Sequence, residues 1–139
     1  MAAKLARALG LALALMTPVA ASAEKAPAEA KALIERQLQA FANDDAAGAY
    51  ALASPAIRAL FPDAATFMAM VRKTYQPVYR HRSVEFGEAS VEADKIDQTV
   101  TLVDEENEVW KALYRLERQP DGAWLTNGCI LVRSTESAL

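Results

Sequence analysis

The segment that decides the fold is residues 96–132, IDQTVTLVDEENEVWKALYRLERQPDGAWLTNGCILV. Apolar and polar residues alternate here in three runs that begin near Ile96, Trp110 and Trp124, and a period of two is typical of β-strands. Turn-forming residues at 104–107 and 120–122 separate the runs. Such short connections favour antiparallel pairing, because parallel strands need long crossovers. We therefore predict three consecutive antiparallel strands, with Asn127-Gly128 as a bulge in the last one.

The residues before this segment change to a helical period. Apolar side chains recur at helical spacing over 28–42, which predicts an amphipathic first helix. Shorter helices are predicted after the run 43–45, after Ser54 and after Asp63, because these side chains can cap a helix N-terminus. Pro77 prevents the last of these helices from continuing, and 78–86 alternates as a first strand.

This order of elements predicts an α+β domain. The N-terminal helices must pack on one face of a curved antiparallel sheet of about four strands, because a sheet has to bury its apolar face. Trp110, Tyr114 and Trp124 are predicted to share that face. A curved sheet around helices leaves a cone-shaped cavity at its open end.

The N-terminus has the features of a secretory signal peptide. Lys4 and Arg7 precede an uncharged run, and Ala21-Ser22-Ala23 provides small residues for a peptidase. We predict cleavage after Ala23, because the uncharged run from 8 to 23 is shorter than the ~18–20 residues of a membrane span. The predicted parts are a signal peptide at 1–23, a lead-in at 24–30 that can become helical, one α+β domain at 31–134 and a tail at 135–139.

Removal of the predicted signal peptide would change the length and net charge of the chain. Removal of 23 of the 139 residues leaves 116, and the loss of Lys4 and Arg7 changes the formal charge from −3 to −5. An acidic balance argues against nucleic acid as a partner. We expect a periplasmic or secreted protein with no membrane anchor after cleavage.

The chain has one cysteine and one histidine, which offer little for catalysis. Cys129 is the only cysteine and lies in an apolar run, so we expect a buried small hydrophobe rather than a reactive thiol. His81 is the only histidine, and a zinc site needs three or four ligands. We expect His81 on an exposed strand face; the alternative is a general base that works with Asp97 or a nearby glutamate. We predict no catalytic residue, no metal and no cofactor.

A family resemblance covers most of the chain after the predicted signal peptide. Its residues are the runs 38–45, 49–57 and 67–72, then Tyr75, Pro77-Val78-Tyr79, and Trp124 followed by Asn127-Gly128-Cys129-Ile130-Leu131. They resemble the exported bacterial family known as domain of unknown function 4864. The resemblance implies a cone-shaped, cystatin-like fold similar to the nuclear transport factor two and SnoaL-like superfamily, and it implies no catalytic residue.

The candidate ligand-binding residues are those that can combine an apolar body with a polar group. They are Tyr50, Tyr79, Arg82, Trp110, Tyr114 and Trp124. The alternative is that the aromatic residues only pack in the core. Similarly, the basic residues in 72–73 and 80–82 form either an anion site or a solvated turn paired with Glu85, Glu88 or Asp97.

Three functions follow as hypotheses. The first is a non-catalytic binding module whose partner is an unknown small molecule or an envelope protein. The second is a small lyase or isomerase that uses the same cavity, and the third is an envelope protein that forms a homodimer through its sheet. Two titratable side chains converging in a closed cavity would favour the enzyme. A cavity lined by carbon atoms and one or two hydroxyls would favour binding.

Overall fold

Five helices precede four strands in the part of the chain that the structure describes. The computed structural model describes residues 19–135, with side chains from Ala26 onward. The helices are α1 (Val19–Ala42), α2 (Ala46–Ala51), α3 (Pro55–Leu60), α4 (Ala64–Thr74) and α5 (Gln76–Tyr79). The strands are β1 (His81–Glu92), β2 (Lys95–Asp104), β3 (Val109–Arg118) and β4 (Trp124–Arg133). This architecture confirms the predicted α+β class.

The short helices begin where the sequence offers a capping side chain. Asp45 Oδ1 accepts from the Gly48 N–H at 2.9 Å, Ser54 Oγ from the Ile57 N–H at 3.3 Å, and Asp63 Oδ1 from the Thr66 N–H at 2.7 Å. These bonds satisfy amides that have no partner inside a helix. The three predicted helix starts are therefore confirmed.

The sheet is an antiparallel meander in the order β1-β2-β3-β4. Arg115 pairs with Gly128 and Leu116 with Thr126, so Asn127 has no partner in β3. This confirms the predicted bulge, which changes the course of β4. Two further irregularities interrupt the register of β1, between His81 and Ser83 and between Phe86 and Ala89.

Helix α1 covers one part of the inner face with closely clustered buried side chains. Its Ala30, Leu33 and Ile34 belong to the same buried cluster as Ile96, Leu116 and Trp124 of the sheet. Trp124 Nε1 donates to Glu29 Oε2 at 3.0 Å, which fixes the indole against the helix. We call the six clustered residues the filled region.

Two boundaries differ from the sequence prediction. Helix α1 begins at Val19 and not near 28, so the lead-in at 24–30 is helical, as the sequence allowed, and Ala26 and Ala30 are buried in the core. The first strand begins at His81 and not at Val78. Residues 76–79 form the short helix α5 instead, with Pro77 in its first turn and Val78 buried.

Two predicted segments lie mainly outside the described residues. They are the signal peptide at 1–23, of which only the backbone of 19–23 is described, and the tail at 135–139, of which only Thr135 is described. Within 19–135, no helix is both long enough and apolar enough to cross a membrane.

Candidate functional site

A cavity of about 270 Å³ lies between the inner face of the sheet and helices α1, α3 and α4, and it opens to solvent beside Leu60. We call it the interior cavity. Aromatic and aliphatic side chains form most of its wall, including Phe41, Ile57, Phe61, Phe67, Met70 and Val71. Its polar lining residues are Gln37, Tyr75, Tyr114, Thr126 and Cys129. Nothing among the described lining residues carries a formal charge, so the cavity is an apolar site with a few polar groups.

Most of these polar groups bond to one another or to the backbone. Gln37 Nε2 donates to the carbonyl oxygen of Ala49 at 3.1 Å, and Thr126 Oγ1 donates to Gln37 Oε1 at 2.9 Å. The hydroxyl of Tyr75 donates to the carbonyl oxygen of Cys129 at 3.1 Å. These bonds join α1 to α2 and to β4, and the junction between α4 and α5 to β4, and they offset the cost of burying polar atoms.

The hydroxyl of Tyr114 differs from the others because no described residue accepts its proton. Tyr114 is only 2% exposed, and its hydroxyl oxygen is buried without a hydrogen-bond partner. Burial raises the pKa of this phenol well above its usual value, since a phenolate would be desolvated there. The group therefore stays protonated at neutral pH and remains a free donor.

The thiol of Cys129 is the neighbour of Tyr114 across the β3–β4 pair. Burial raises the pKa of this thiol to about 12. A thiolate is the reactive form of cysteine, so the side chain is chemically inert at neutral pH. This agrees with the prediction of an unreactive thiol, but Cys129 is only partly buried and borders the cavity.

The cavity wall formed by α3 is held by polar contacts at both ends. The hydroxyl of Tyr50 donates to the carbonyl oxygens of Phe61 and Arg58, at 2.8 and 3.2 Å. At the other end, Ser54 Oγ donates to Asn127 Oδ1 at 2.7 Å, which ties the helix start to the bulge in β4. Helix α3 itself has no buried residue, and Leu60 at its end is 72% exposed beside the cavity.

A second, more open cleft of about 550 Å³ lies on the other side of Tyr75. Trp110, Pro77 and Leu131 line it together with Asp104 and Glu106. Trp110 Nε1 donates to Asp104 Oδ2 at 2.9 Å. Burial alone would raise the pKa of Asp104, but bonds from the indole and from backbone N–H groups outweigh it and lower the pKa. Asp104 is thus an ionised anchor for the 104–108 turn.

A polar cluster surrounds Asp44 on the surface. The Tyr79 hydroxyl and Arg80 Nη2 both donate to its carboxylate, the latter at 2.9 Å, and Arg72 lies 3.5 Å away. The bond from Tyr79, with help from both arginines, lowers the pKa of Asp44. Asp44 also has a φ of 53°, in the left-handed region that Asp adopts more readily than most residues. The sequence predicted that the arginines of this segment pair with Glu85, Glu88 or Asp97. That prediction was wrong for Arg72 and Arg80, because both pair with Asp44.

The six candidate ligand-binding residues are distributed over several places. Tyr114 lines the interior cavity and Trp110 lines the second cleft. Tyr50, Tyr79 and Trp124 make the hydrogen bonds described above, and Arg82 donates to Asn107 Oδ1. As predicted, Trp110, Tyr114 and Trp124 share one face of the sheet, but that face extends from the second cleft to the filled region.

Several cavity residues were not among the sequence candidates. They are Gln37, Phe67, Met70, Tyr75, Thr126 and Cys129. The helical period of 28–42 places Gln37 on the same face as Leu33, Ile34 and Phe41, so a polar residue on an apolar face was the available signal. No comparable signal marks Thr126, whose place depends on the bulge.

His81 does not lie on an exposed strand face, which corrects the sequence expectation. It is half-buried at the start of β1, and burial lowers the pKa of its imidazole despite a bond with the Val78 backbone. Within residues 19–135, no three side chains of His, Cys, Asp or Glu are grouped so that they could hold a metal ion.

Comparison with known proteins gives a family but no characterised relative. A family model described as Domain of unknown function (DUF4864) matches residues 23–139. No curated protein matches the chain, and no solved structure matches it either. Because the match covers most of the sequence, this chain belongs to the DUF4864 family.

Proposed function

We propose that this protein binds a small, largely apolar molecule in the interior cavity, without chemical conversion. The observation that carries the proposal is the cavity itself, about 270 Å³ lined by uncharged residues. Protein interiors are usually packed to the density of organic crystals, and a void costs stability. An engineered apolar cavity of about 150 Å³ is enough to bind benzene, so this space suits a somewhat larger molecule.

The chemistry of the lining supports binding over acid–base catalysis. General acid–base chemistry needs a titratable group with a pKa near the working pH. The Cys129 thiol and the Tyr114 phenol both have raised pKa values and stay neutral. No described lining residue is Asp, Glu, His or Lys. The lyase or isomerase hypothesis therefore has less support than a binding module.

The binding proposal can be tested with toluene as the probe. At ten times its Kd, toluene should raise the melting temperature by about 5 °C, because a ligand that binds only the folded state stabilises it. Cys129→Leu fills part of the cavity and should reduce this shift. Val132→Leu is the matched control, since Val132 is 57% exposed and does not line the cavity. Equal shifts in both variants, or none in the wild type, would contradict the proposal.

We further propose that the chain is exported and cleaved after Ala23. The support is the basic start, the uncharged run and the small residues before the cleavage point. The family match also begins at residue 23. Mass spectrometry of the exported protein should find Glu24 as the first residue, and a mature form that retains Lys4 would refute cleavage.

The likeness to the nuclear transport factor two and SnoaL-like superfamily is likewise a proposal. Its support is the order of helices before a meander and the cavity between the two layers. An experimental structure of this chain that superposes on members of that superfamily with the same strand order would test it.

The outer face of β4 favours self-association as a second candidate function. β4 is an edge strand, and Ile130 and Val132 on it are 49% and 57% exposed. Edge strands with exposed apolar side chains tend to pair with another chain. A homodimer should therefore be seen by light scattering, and Ile130→Lys should convert it to monomers. A wild-type monomer at high concentration would exclude this candidate.

A further inference from the structure

Among the strong donor groups that line the cavity, only the Tyr114 hydroxyl has no acceptor at all among the described residues. The Gln37 amide, the Thr126 hydroxyl and the Tyr75 hydroxyl each donate to an acceptor within the protein. The Cys129 thiol is only a weak donor. The hydroxyl of Tyr114, on a side chain that is 2% exposed, has no acceptor among the described residues.

An unpaired buried hydroxyl is a cost that a bound molecule can remove. Buried polar groups in native proteins are almost always paired, and the exceptions often mark a functional site. A single water is a poor occupant here, because buried waters usually make about three hydrogen bonds. Tyr114 lines this cavity, whose wall is otherwise mainly carbon atoms. Its hydroxyl oxygen is almost fully covered by protein atoms, so an occupant must displace a neighbouring side chain to reach it.

The lining also limits the charge of the occupant. No described lining residue is acidic or basic, so a charged ligand would be desolvated without a counterion. One hydroxyl donor cannot replace the hydration shell of a carboxylate or a phosphate. A neutral molecule has no such penalty.

We propose that the ligand is an uncharged molecule with one acceptor oxygen, such as a ketone or an ester, which accepts a hydrogen bond from Tyr114. This inference rests on the proposed function and adds the chemical class of the ligand. The apolar part of the molecule would contact the aromatic and aliphatic wall, including Phe67 and Met70. Tyr114 is then the residue that determines specificity.

The test compares two probes of nearly the same shape, acetophenone and ethylbenzene, which differ in a carbonyl oxygen. Calorimetry measures the ratio of their affinities for the wild type and for Tyr114→Phe. Loss of the hydroxyl should lower the ratio of the acetophenone affinity to the ethylbenzene affinity by roughly five- to tenfold, the usual effect of one hydrogen bond. Tyr79→Phe is the control for the same chemical change outside the cavity, and it should leave the ratio unchanged.

Each result has a defined meaning. If both probes bind but Tyr114→Phe does not change the ratio, the acceptor class is wrong while the binding function stands. If neither probe binds the wild type, the proposed function fails and this inference fails with it. Benzoate serves as the charged analogue, and an affinity equal to that of acetophenone would show that the ligand need not be neutral.

Discussion

The inner face of the sheet is covered in two different ways along its length. In the filled region, α1 buries aliphatic side chains such as Ile34 and Leu116 to 1% exposure or less. Beside Tyr114, the cover includes α3, which has no buried residue and is held by hydrogen bonds at its two ends. The comparison shows that one sheet face can support stability at one place and leave space for a ligand at another.

The largest expected effect is the loss of a side chain from the filled region. Leu116→Ala should lower the free energy of unfolding by about 2–5 kcal/mol, because it leaves a void that neighbours cannot fill. Leu60→Ala makes the same chemical change at the cavity mouth, where Leu60 is 72% exposed. It should cost no more than about 0.5 kcal/mol. Urea denaturation measures both, and equal losses would remove the distinction between the two regions.

Added volume should have opposite effects at a buried position and at a partly buried position that borders the cavity. Ala112 is 1% exposed and does not line the cavity, so Ala112→Leu should overpack the core and cost about 1–3 kcal/mol. Cys129→Leu extends into the cavity and should leave stability unchanged or raise it by up to about 2 kcal/mol. Thermal unfolding of the two variants checks this. A loss at Cys129 as large as at Ala112 would show that the cavity cannot accept the added carbons.

Alkaline pH should weaken the cavity side of the protein. Burial raises the pKa of Cys129 from 9.0 to about 12, so its contribution to stability is complete below pH 9 and is lost as the pH rises towards 12. The slope from this one group is at most about 1.4 kcal/mol per pH unit. Cys129→Ala should therefore lose stability less steeply than the wild type between pH 9 and 10.5. Parallel curves in urea titrations would contradict the assignment.

The smallest expected effects come from two tyrosines that border the same cavity. Tyr75→Phe removes a donor from the Cys129 carbonyl oxygen and should cost about 1 kcal/mol. Tyr114→Phe removes an unpaired buried hydroxyl and should raise the free energy of unfolding by about 1 kcal/mol. Denaturation curves of the two variants give the signs. A loss in Tyr114→Phe would mean that its hydroxyl has a partner in solution.

Local patterns were sufficient to predict most of the fold. Alternation identified three strands closely, and Asp45, Ser54 and Asp63 marked helix starts, because these signals depend on neighbouring residues only. The bulge at Asn127 was predicted from the pair Asn127-Gly128, which interrupts a run of strand-forming residues. The first strand was misplaced, since the alternation from Val78 onward resembles a strand although Pro77 begins a helical turn.

The site was harder to predict because it depends on distant contacts. Tyr114 was among the candidates, and strand alternation placed it on the inner face. The same reasoning selected Trp124, which instead packs on α1 through Glu29, 95 residues away in sequence. The position of α3 depends on the bond from Ser54 to Asn127, a separation of 73 residues. No local pattern reports such a contact.

That bond between Ser54 and Asn127 also has a consequence for the order of folding. The helices at 46–74 are short, and isolated helices of this length are marginal in water. Their fixed position requires the last strand, because the Ser54 N–H donates to the Thr126 carbonyl oxygen and the Thr126 N–H to that of Leu52. Contacts between such distant residues slow folding. Three residues that line the cavity, Thr126, Gly128 and Cys129, belong to that strand, so a nascent chain that ends before Trp124 cannot yet form the cavity.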